Sequence, residues 1–374
     1  MSDSLKKSFQ GMLSFADVKI NGKRPWDIII HNPETYRRVL SKGSLGLGES
    51  YMDGWWDCKR LDEFFYKILE TKLNEKVIGF NFFLASIKAR MLNLQSKSRA
   101  KRVAKEHYDL SPELYMSFLD PYNQYTCGYW KNTKDLNKAQ EQKLHLICKK
   151  LKLKKGDRVL DIGCGWGGFA KFASKNYGCH VTGISISEEQ VKYAKKFCQG
   201  LNVEIKKMDY RDVKEKFDKV LICGMIEHVG YKNYREIMKV VNSCLNPGGL
   251  FLLHTIARDT SVKSSADLLW LSKYIFPNSM LPSAKQITTA AEGFFTIQDW
   301  QNFAPYYDKT LMAWHKNFVK NWNKIKKNYD ERFYRMWNYY LLSCAGAFRA
   351  GKMNLWQIVF SKGALKEVYF GERL

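Results

Sequence analysis

Three observations predict an α/β fold built on a doubly wound, mainly parallel sheet. Five short apolar runs, 158–162, 180–184, 203–208, 217–223 and 250–255, read as strands, each separated from the next by a helical pattern. The first of them enters a glycine loop, Gly163-Cys-Gly-Trp-Gly-Gly168, and a helix over 169–176 follows. A chain of 374 residues with 45% apolar and 14% aromatic side chains can bury the cores of two or three domains.

In chain order, residues 1–75 are nearly neutral, at net +1, and read as a small, mainly helical domain. Residues 76–106 carry net +7 and read as a basic linker. Phe80, Phe83, Leu84, Ile87, Met91 and Leu94 fall at three- and four-residue spacing there, the pattern of one apolar helix face. Such a face serves a packed surface helix or, beside Lys97, Arg99, Lys101 and Arg102, an interfacial one on anionic lipid. Residues 107–374 then form a second, larger domain around these strands, with Pro247-Gly248-Gly249 breaking the chain before the fifth strand. After Pro282 the pattern turns helical, with Leu311, Trp314, Phe318 and Trp322 on one face and Phe333, Trp337, Tyr340 and Cys344 on another.

Charge and cysteine usage narrow the class. The net charge of +24 calls for an anionic partner: nucleic acid, acidic headgroups or an acidic substrate. No nucleic-acid-binding motif is present, and the aromatic residues sit at buried helical spacing, so nucleic acid is not expected. The nine cysteines include no CxxC pair, which argues against a disulfide framework and a structural metal site. No secretory pattern occupies residues 1–17, and the apolar stretch 77–87 is about half of a bilayer span. A reduced, cytoplasmic protein is expected.

The glycine loop satisfies the dinucleotide pattern GxGxxG at Gly163, Gly165 and Gly168. Two features favour S-adenosylmethionine over a nicotinamide cofactor. Asp161 stands two residues ahead of the first glycine, as in the DxGxGxG of class I methyltransferases, whose Rossmann-like sheet carries helical insertions. The acidic ribose hook expected about 20 residues on is missing from Val181-Thr-Gly-Ile-Ser185. Asp209, at the end of the third strand, matches the position that often holds the adenine amino group; alone, it reads equally as a turn or cap residue.

A wider resemblance covers nearly the whole chain. Gly43-Ser-Leu-Gly-Leu-Gly-Glu-Ser-Tyr-Met-Asp-Gly-Trp-Trp56, Glu106-His-Tyr-Asp-Leu110, Gln124-Tyr-Thr-Cys-Gly-Tyr-Trp130, Glu227-His-Val-Gly230, Leu252-Leu-His-Thr-Ile256, Lys273-Tyr-Ile-Phe-Pro-Asn278 and Ser343-Cys-Ala-Gly-Ala-Phe-Arg349 occur in order. Together they resemble the bacterial cyclopropane-fatty-acyl-phospholipid synthases of the mycolic acid cyclopropane synthase superfamily. The resemblance implies methylene transfer from S-adenosylmethionine to a cis double bond of a phospholipid acyl chain. An N- or O-methyltransferase acting on a lipid or small amphiphile is the alternative.

The resemblance also implies site residues. A bicarbonate ion would serve as base, cradled by Cys127 and Ile256 through main chain and by Glu227, His254 and Tyr307. Cys344 would line the pocket, without covalent catalysis, since methyl transfer needs no thioether. Tyr125, Thr126, Gly163, Gly165, Ser185 and Gln190 would hold the cofactor, with Asp161 and Asp209. Taken alone, His254 on an apolar strand reads equally as a hydrogen-bonded core histidine, and Tyr307 as a residue of a polar loop. Gly128 stands where family members often have alanine, and Asn278-Ser279 replaces a common Asn-Gly. The implied partner is the anionic surface of a phospholipid bilayer, met peripherally at the inner membrane face, with a homodimer one option.

Overall fold

A computed structural model describes residues 2–71, 111–262 and 268–373. The basic linker, with its apolar face and Lys97–Arg102, lies outside the described residues, as does Glu106-His-Tyr-Asp-Leu110. The described chain forms two compact units.

The first unit gathers residues 2–71, 268–277 and 307–353. It is helical apart from a two-stranded antiparallel pair, β1 (Ile29–Ile30) with β2 (Trp56–Asp57). This grouping cuts across the boundaries expected at 75 and 106. The helices Leu269–Tyr274, Pro305–Ile325 and Glu331–Arg349 follow or precede sheet strands in sequence, yet Leu269–Tyr274 packs on helix Glu34–Met52, and Glu331–Arg349 packs on helices Leu61–Glu70 and Glu34–Met52. One reason is Gly346, whose missing side chain lets helix Glu331–Arg349 approach the backbone of Asp62 and Tyr66 on helix Leu61–Glu70. The Arg349 guanidinium then forks onto Asp62, Glu63 and Asp308 at 2.9–3.0 Å, a satisfied network around the buried Asp62 carboxylate.

The second unit holds residues 111–262, 278–306 and 354–373 around a seven-stranded sheet. Its strands are β3 (Arg158–Ile162), β4 (His180–Ser185), β5 (Val203–Lys207), β6 (Phe217–Cys223), β7 (Leu245–Ala257), β8 (Thr296–Asn302) and β9 (Asn354–Ser361). The order across the sheet is β5-β4-β3-β6-β7-β9-β8. The five strands foreseen are all parallel, and β9 enters antiparallel between β7 and β8. Chain order reverses between β3 and β6, so the carboxyl ends of these two strands flank the topological switch point.

Alternation along the strands divides the core into two layers. Leu160, Ile162, Val220, Ile222, Phe251 and Leu253 face helices Tyr234–Cys244 and Ala284–Ala291. Val159, Leu221, Leu250 and Leu252 face helices Leu136–Lys150, Gly168–Tyr177 and Glu188–Phe197. By the same period of two, Asp161, Cys223 and His254 belong to this second face.

Two sequence expectations are corrected. Strand β7 does not begin after Pro247-Gly248-Gly249 but runs through it, as an irregularity in its pairing with β6. Gly248 takes φ +72° there, and exchanges backbone hydrogen bonds of 2.8 and 3.1 Å link Gly248 and Gly249 to Lys362 beyond β9. Strands β8 and β9 were not expected in the helical C-terminal region. Thr296, Gln298, Asp299, Gln301 and Asn302 give β8 no clean alternation, because it is an edge strand.

Candidate active site

Strand β3 ends at Ile162, and the chain turns through three glycines in the left-handed region, Gly163, Gly165 and Gly167, at φ +82°, +52° and +83°. At Gly163 a side chain would strike Met225, and at Gly168 it would strike the Tyr122 carbonyl oxygen. At Gly165 no atom lies within 4 Å of the position a Cβ would take. The protein therefore leaves this backbone open to approach, at the N-terminal end of helix Gly168–Tyr177.

Asp161 sits one residue before the strand ends, with its Oδ2 buried and without a hydrogen-bond partner among the described residues. Burial raises its pKa to about 7, against the opposing charge of Lys143. At the end of β4, Ser185 and Gln190 are joined by a 2.9 Å hydrogen bond from the hydroxyl to the amide oxygen. Ser187 caps helix Glu188–Phe197 between them. Asp209 follows β5 and caps the short helix Tyr210–Asp212, its carboxylate also paired with Arg211 at 3.1 Å. The cap reading of Asp209 is thus borne by its geometry, next to the cofactor edge.

Tyr125, Thr126 and Cys127 precede helix Leu136–Lys150 and lie over this edge. The Tyr125 ring meets Tyr115 edge-on at 5.2 Å, and Tyr115 is 5.2 Å from Trp166 of the glycine loop. Thr126 is held from the helix: Gln140 Nε2 donates to its carbonyl at 2.8 Å and Lys143 Nζ to its hydroxyl at 2.9 Å. Cys127 is fully buried, with its thiol donating to the Gly128 carbonyl at 3.2 Å.

Glu227 and His254 lie past and at the ends of the adjacent strands β6 and β7. Ile256 donates its backbone N–H to Glu227 Oε1 at 2.8 Å, while Oε2 has no hydrogen-bond partner among the described residues. Burial lifts the Glu227 pKa to about 7. His254 pairs in register with Cys223 on one side and Gln357 on the other. The Gln357 amide nitrogen lies 3.3 Å from His254 Nδ1, which leaves the proton of a neutral imidazole on Nε2. That nitrogen is buried and unpartnered among the described residues, and burial holds the imidazole neutral.

Tyr307 and Cys344 belong to the first unit. Tyr307 is not in a polar loop: it lies in the first turn of helix Pro305–Ile325, where the leading proline pre-sets the helix. Its buried ring lies tilted 4.5 Å from Phe348 and meets Trp314 edge-on at 6.1 Å. Cys344 is buried on helix Glu331–Arg349, and burial pushes its thiol to about 12.

A family model described as mycolic acid cyclopropane synthetase matches residues 95–358. The cyclopropane-fatty-acyl-phospholipid synthase of Escherichia coli (strain K12) is 52% identical over 354 residues, 94% of this chain and 92% of that protein. The chain belongs to this family. Among solved structures, the cyclopropane synthase MmaA2 from Mycobacterium tuberculosis matches with a TM-score of 0.66 at 27% identity, covering 70% of this chain and 98% of that one. The mycolic acid cyclopropane synthase CmaA1, complexed with SAH and CTAB, matches with a TM-score of 0.65 at 28% identity over 70% and 98%. Family members carry methylene groups from S-adenosylmethionine to unsaturated lipid chains, and this chain is a methyltransferase of that kind.

The residues present fit that cofactor. The open face of Gly165, the unpartnered Asp161 oxygen and the Ser185–Gln190 pair line the carboxyl ends of β3 and β4, where a class I fold binds it. Sequence reasoning missed Gln140, Lys143 and Gln357. The signal existed: Leu136, Ala139, Gln140, Lys143, Leu144 and Ile147 share one buried helix face, and two polar residues interrupt it.

Proposed function

We propose that this enzyme forms a cyclopropane ring at a cis double bond of a phospholipid acyl chain, with a bicarbonate ion as the base. When bound, S-adenosylmethionine supplies an electrophilic methyl carbon, and S-adenosylhomocysteine leaves with the electron pair of the broken C–S bond. Bicarbonate supplies an oxygen base for the proton released as the second C–C bond closes the ring.

The protein's part is to bind, orient and keep water away, because an alkene is a weak nucleophile and its cation reacts readily with water. Asp161, Gly163, Gly165, Ser185, Gln190 and Asp209 would hold the cofactor beside Tyr125 and Thr126. The single observation carrying the base is the pair of buried polar atoms left without partners among the described residues, Glu227 Oε2 in the turn after β6 and His254 Nε2 on β7. His254, neutral with its proton on Nε2, is a donor suited to an anion; Glu227, raised to about 7 by burial, accepts when ionised and donates when protonated. Ile256 fixes the carboxylate from the main chain, and Cys127 offers backbone groups nearby in sequence to Thr126. For Tyr307 and Cys344 the support is the sequence resemblance. Among the described residues no helix is long and apolar enough to cross a membrane, so the acyl chain is met from the bilayer surface, with the basic linker drawn to anionic headgroups.

Mass analysis of phospholipids incubated with enzyme and S-adenosylmethionine tests the reading. A gain of one CH2 in the acyl chains that resists hydrogenation identifies the ring. A methyl group on nitrogen or oxygen of the headgroup would overturn it.

A further inference from the structure

Lys143 is a lysine with no exposed surface, on a helix whose other face is solvated. A buried ammonium is expensive unless its protons are all used, so its partners are informative. Nζ donates to Gln124 Oε1 and to Thr126 Oγ1. The Thr126 hydroxyl also accepts from the Cys223 thiol at 3.7 Å, at the carboxyl end of β6. One turn earlier on the helix, Gln140 holds the Thr126 carbonyl, and Gln124 is fixed in turn by its backbone N–H on Asp120 at 2.7 Å. The whole segment 124–127 is therefore hung from one helix face and pressed on the strand ends.

The same lysine faces the sheet. Asp161, Cys223 and His254 lie on the sheet face that packs against helix Leu136–Lys150, on the adjacent strands β3, β6 and β7. We propose that Lys143 is a positioning residue for S-adenosylmethionine: it fixes Tyr125–Cys127 over the ends of β3 and β6, and its charge faces the Asp161 carboxyl. This rests on the reading of Asp161 and Thr126 as cofactor residues.

The charges around this pair make the role measurable. Lys143 faces Asp120, Asp161, Cys127 and Cys223, and its charge also bears on His254. The thiols of Cys164, Cys198 and Cys223 are all raised by burial and hold their protons at neutral pH, His254 is neutral, and burial raises Asp120. Lys143 is the cation that acts on Asp161, and it lowers the pKa that burial raises. Burial lowers the Lys143 pKa in turn, against the opposing pull of Asp120 and Asp161, so the effect on Asp161 holds where the lysine is charged; removing it leaves Asp161 protonated at higher pH.

The test measures S-adenosylmethionine affinity by calorimetry from pH 6 to 9 for wild type, Lys143→Met and Asp161→Asn. For Lys143→Met we expect affinity about tenfold weaker at pH 8 and the pH midpoint of binding moved upward. Lys143→Gln, which keeps a donor but no charge, should recover part of the affinity and none of the midpoint, and it serves if the methionine variant does not fold. Affinity and midpoint unchanged in folded Lys143 variants, with Asp161→Asn weakened, would overturn the lysine's role alone. Asp161→Asn binding as wild type does would overturn the cofactor reading and the lysine's role with it.

Discussion

The backbone N–H of Ile256 points at Glu227 Oε1 across 2.8 Å, and so ties the strand after His254 to the carboxylate after β6. The contact fixes one oxygen and leaves the other facing inward. Glu227→Gln keeps the size and the Ile256 contact but removes the charge and the shared proton. Turnover should fall about 100-fold with little change in the KM for S-adenosylmethionine, because the carboxylate acts after both substrates are bound. In rigorously carbonate-free buffer the wild type should slow, and added bicarbonate should restore it. A wild-type rate indifferent to bicarbonate excludes that ion as the base.

Two glycines three residues apart should fail differently. At Gly165→Val the Cβ meets no protein atom, so the fold should survive with a strain of roughly 1–2 kcal/mol from the positive φ, while cofactor binding is lost. Gly168→Ala drives a methyl group into the Tyr122 carbonyl oxygen and the Gln124 amide, and should cost roughly 2 kcal/mol of stability. Thermal melts and calorimetry on both variants separate the two effects.

Burial raises the carboxyls of Asp161 and Glu227 to about 7 from 3.8 and 4.5. The folded chain thus keeps protons that an unfolded chain has released, and the stability these two groups confer is complete below about pH 4. It is lost as pH rises through 7. Asp161→Asn should therefore raise the stability of the ligand-free protein at pH 8 by roughly 2 kcal/mol, and by little below about pH 4. An equal gain at both pH values would show that ionisation is not the cost.

The cysteines should be unreactive. Burial pushes Cys344 to about 12, Cys58 to about 12 and Cys179 to about 11, so the thiolate fraction at pH 8 is small. Native protein should react with a disulfide reagent far more slowly than unfolded protein. Cys344→Ala should lose only a few-fold in turnover, the amount expected of packing; complete loss would point to chemistry at sulfur.

Salt should weaken both vesicle binding and activity, since each basic residue near an anionic surface contributes about 1 kcal/mol that fades within a Debye length. Changing Lys97, Arg99, Lys101 and Arg102 to Gln should reduce sedimentation with anionic vesicles and leave cofactor affinity intact. Undiminished sedimentation would move the membrane surface elsewhere, with the net +8 of residues 316–374 next in line.

The parallel half of the sheet was legible because the inner strands carry buried apolar runs, Val159–Ile162, Val220–Ile222 and Leu250–Leu253, while the edge strand β5, Val203-Glu-Ile-Lys-Lys207, was marked only by its place between two helical patterns. The glycine loop was legible for a similar reason, as its backbone geometry admits few other residues. β8 was hidden by its edge position, where solvent permits Gln298 and Gln301 among the apolar residues. The grouping of helix Glu331–Arg349 with Leu61–Glu70 depends on a contact between Gly346 and Asp62, far apart in the chain, which no local pattern encodes. Lys143 and Gln357 were missed because a lone polar residue on a buried face has meaning only when its partner is known.

β9 is buried along nearly its whole length and lies between β7 and β8, although it follows both in sequence. A nascent chain emerging from a ribosome can pair β3 through β7 early, but β8 has nothing to join until residues 354–361 clear the exit tunnel. Until then β7 presents an open edge, and His254 lacks the Gln357 amide that sets its proton. Synthesis thus delivers the seal of the sheet and the His254–Gln357 pair together, so a shortened translation product would hold the parallel strands with β7 left as an open edge.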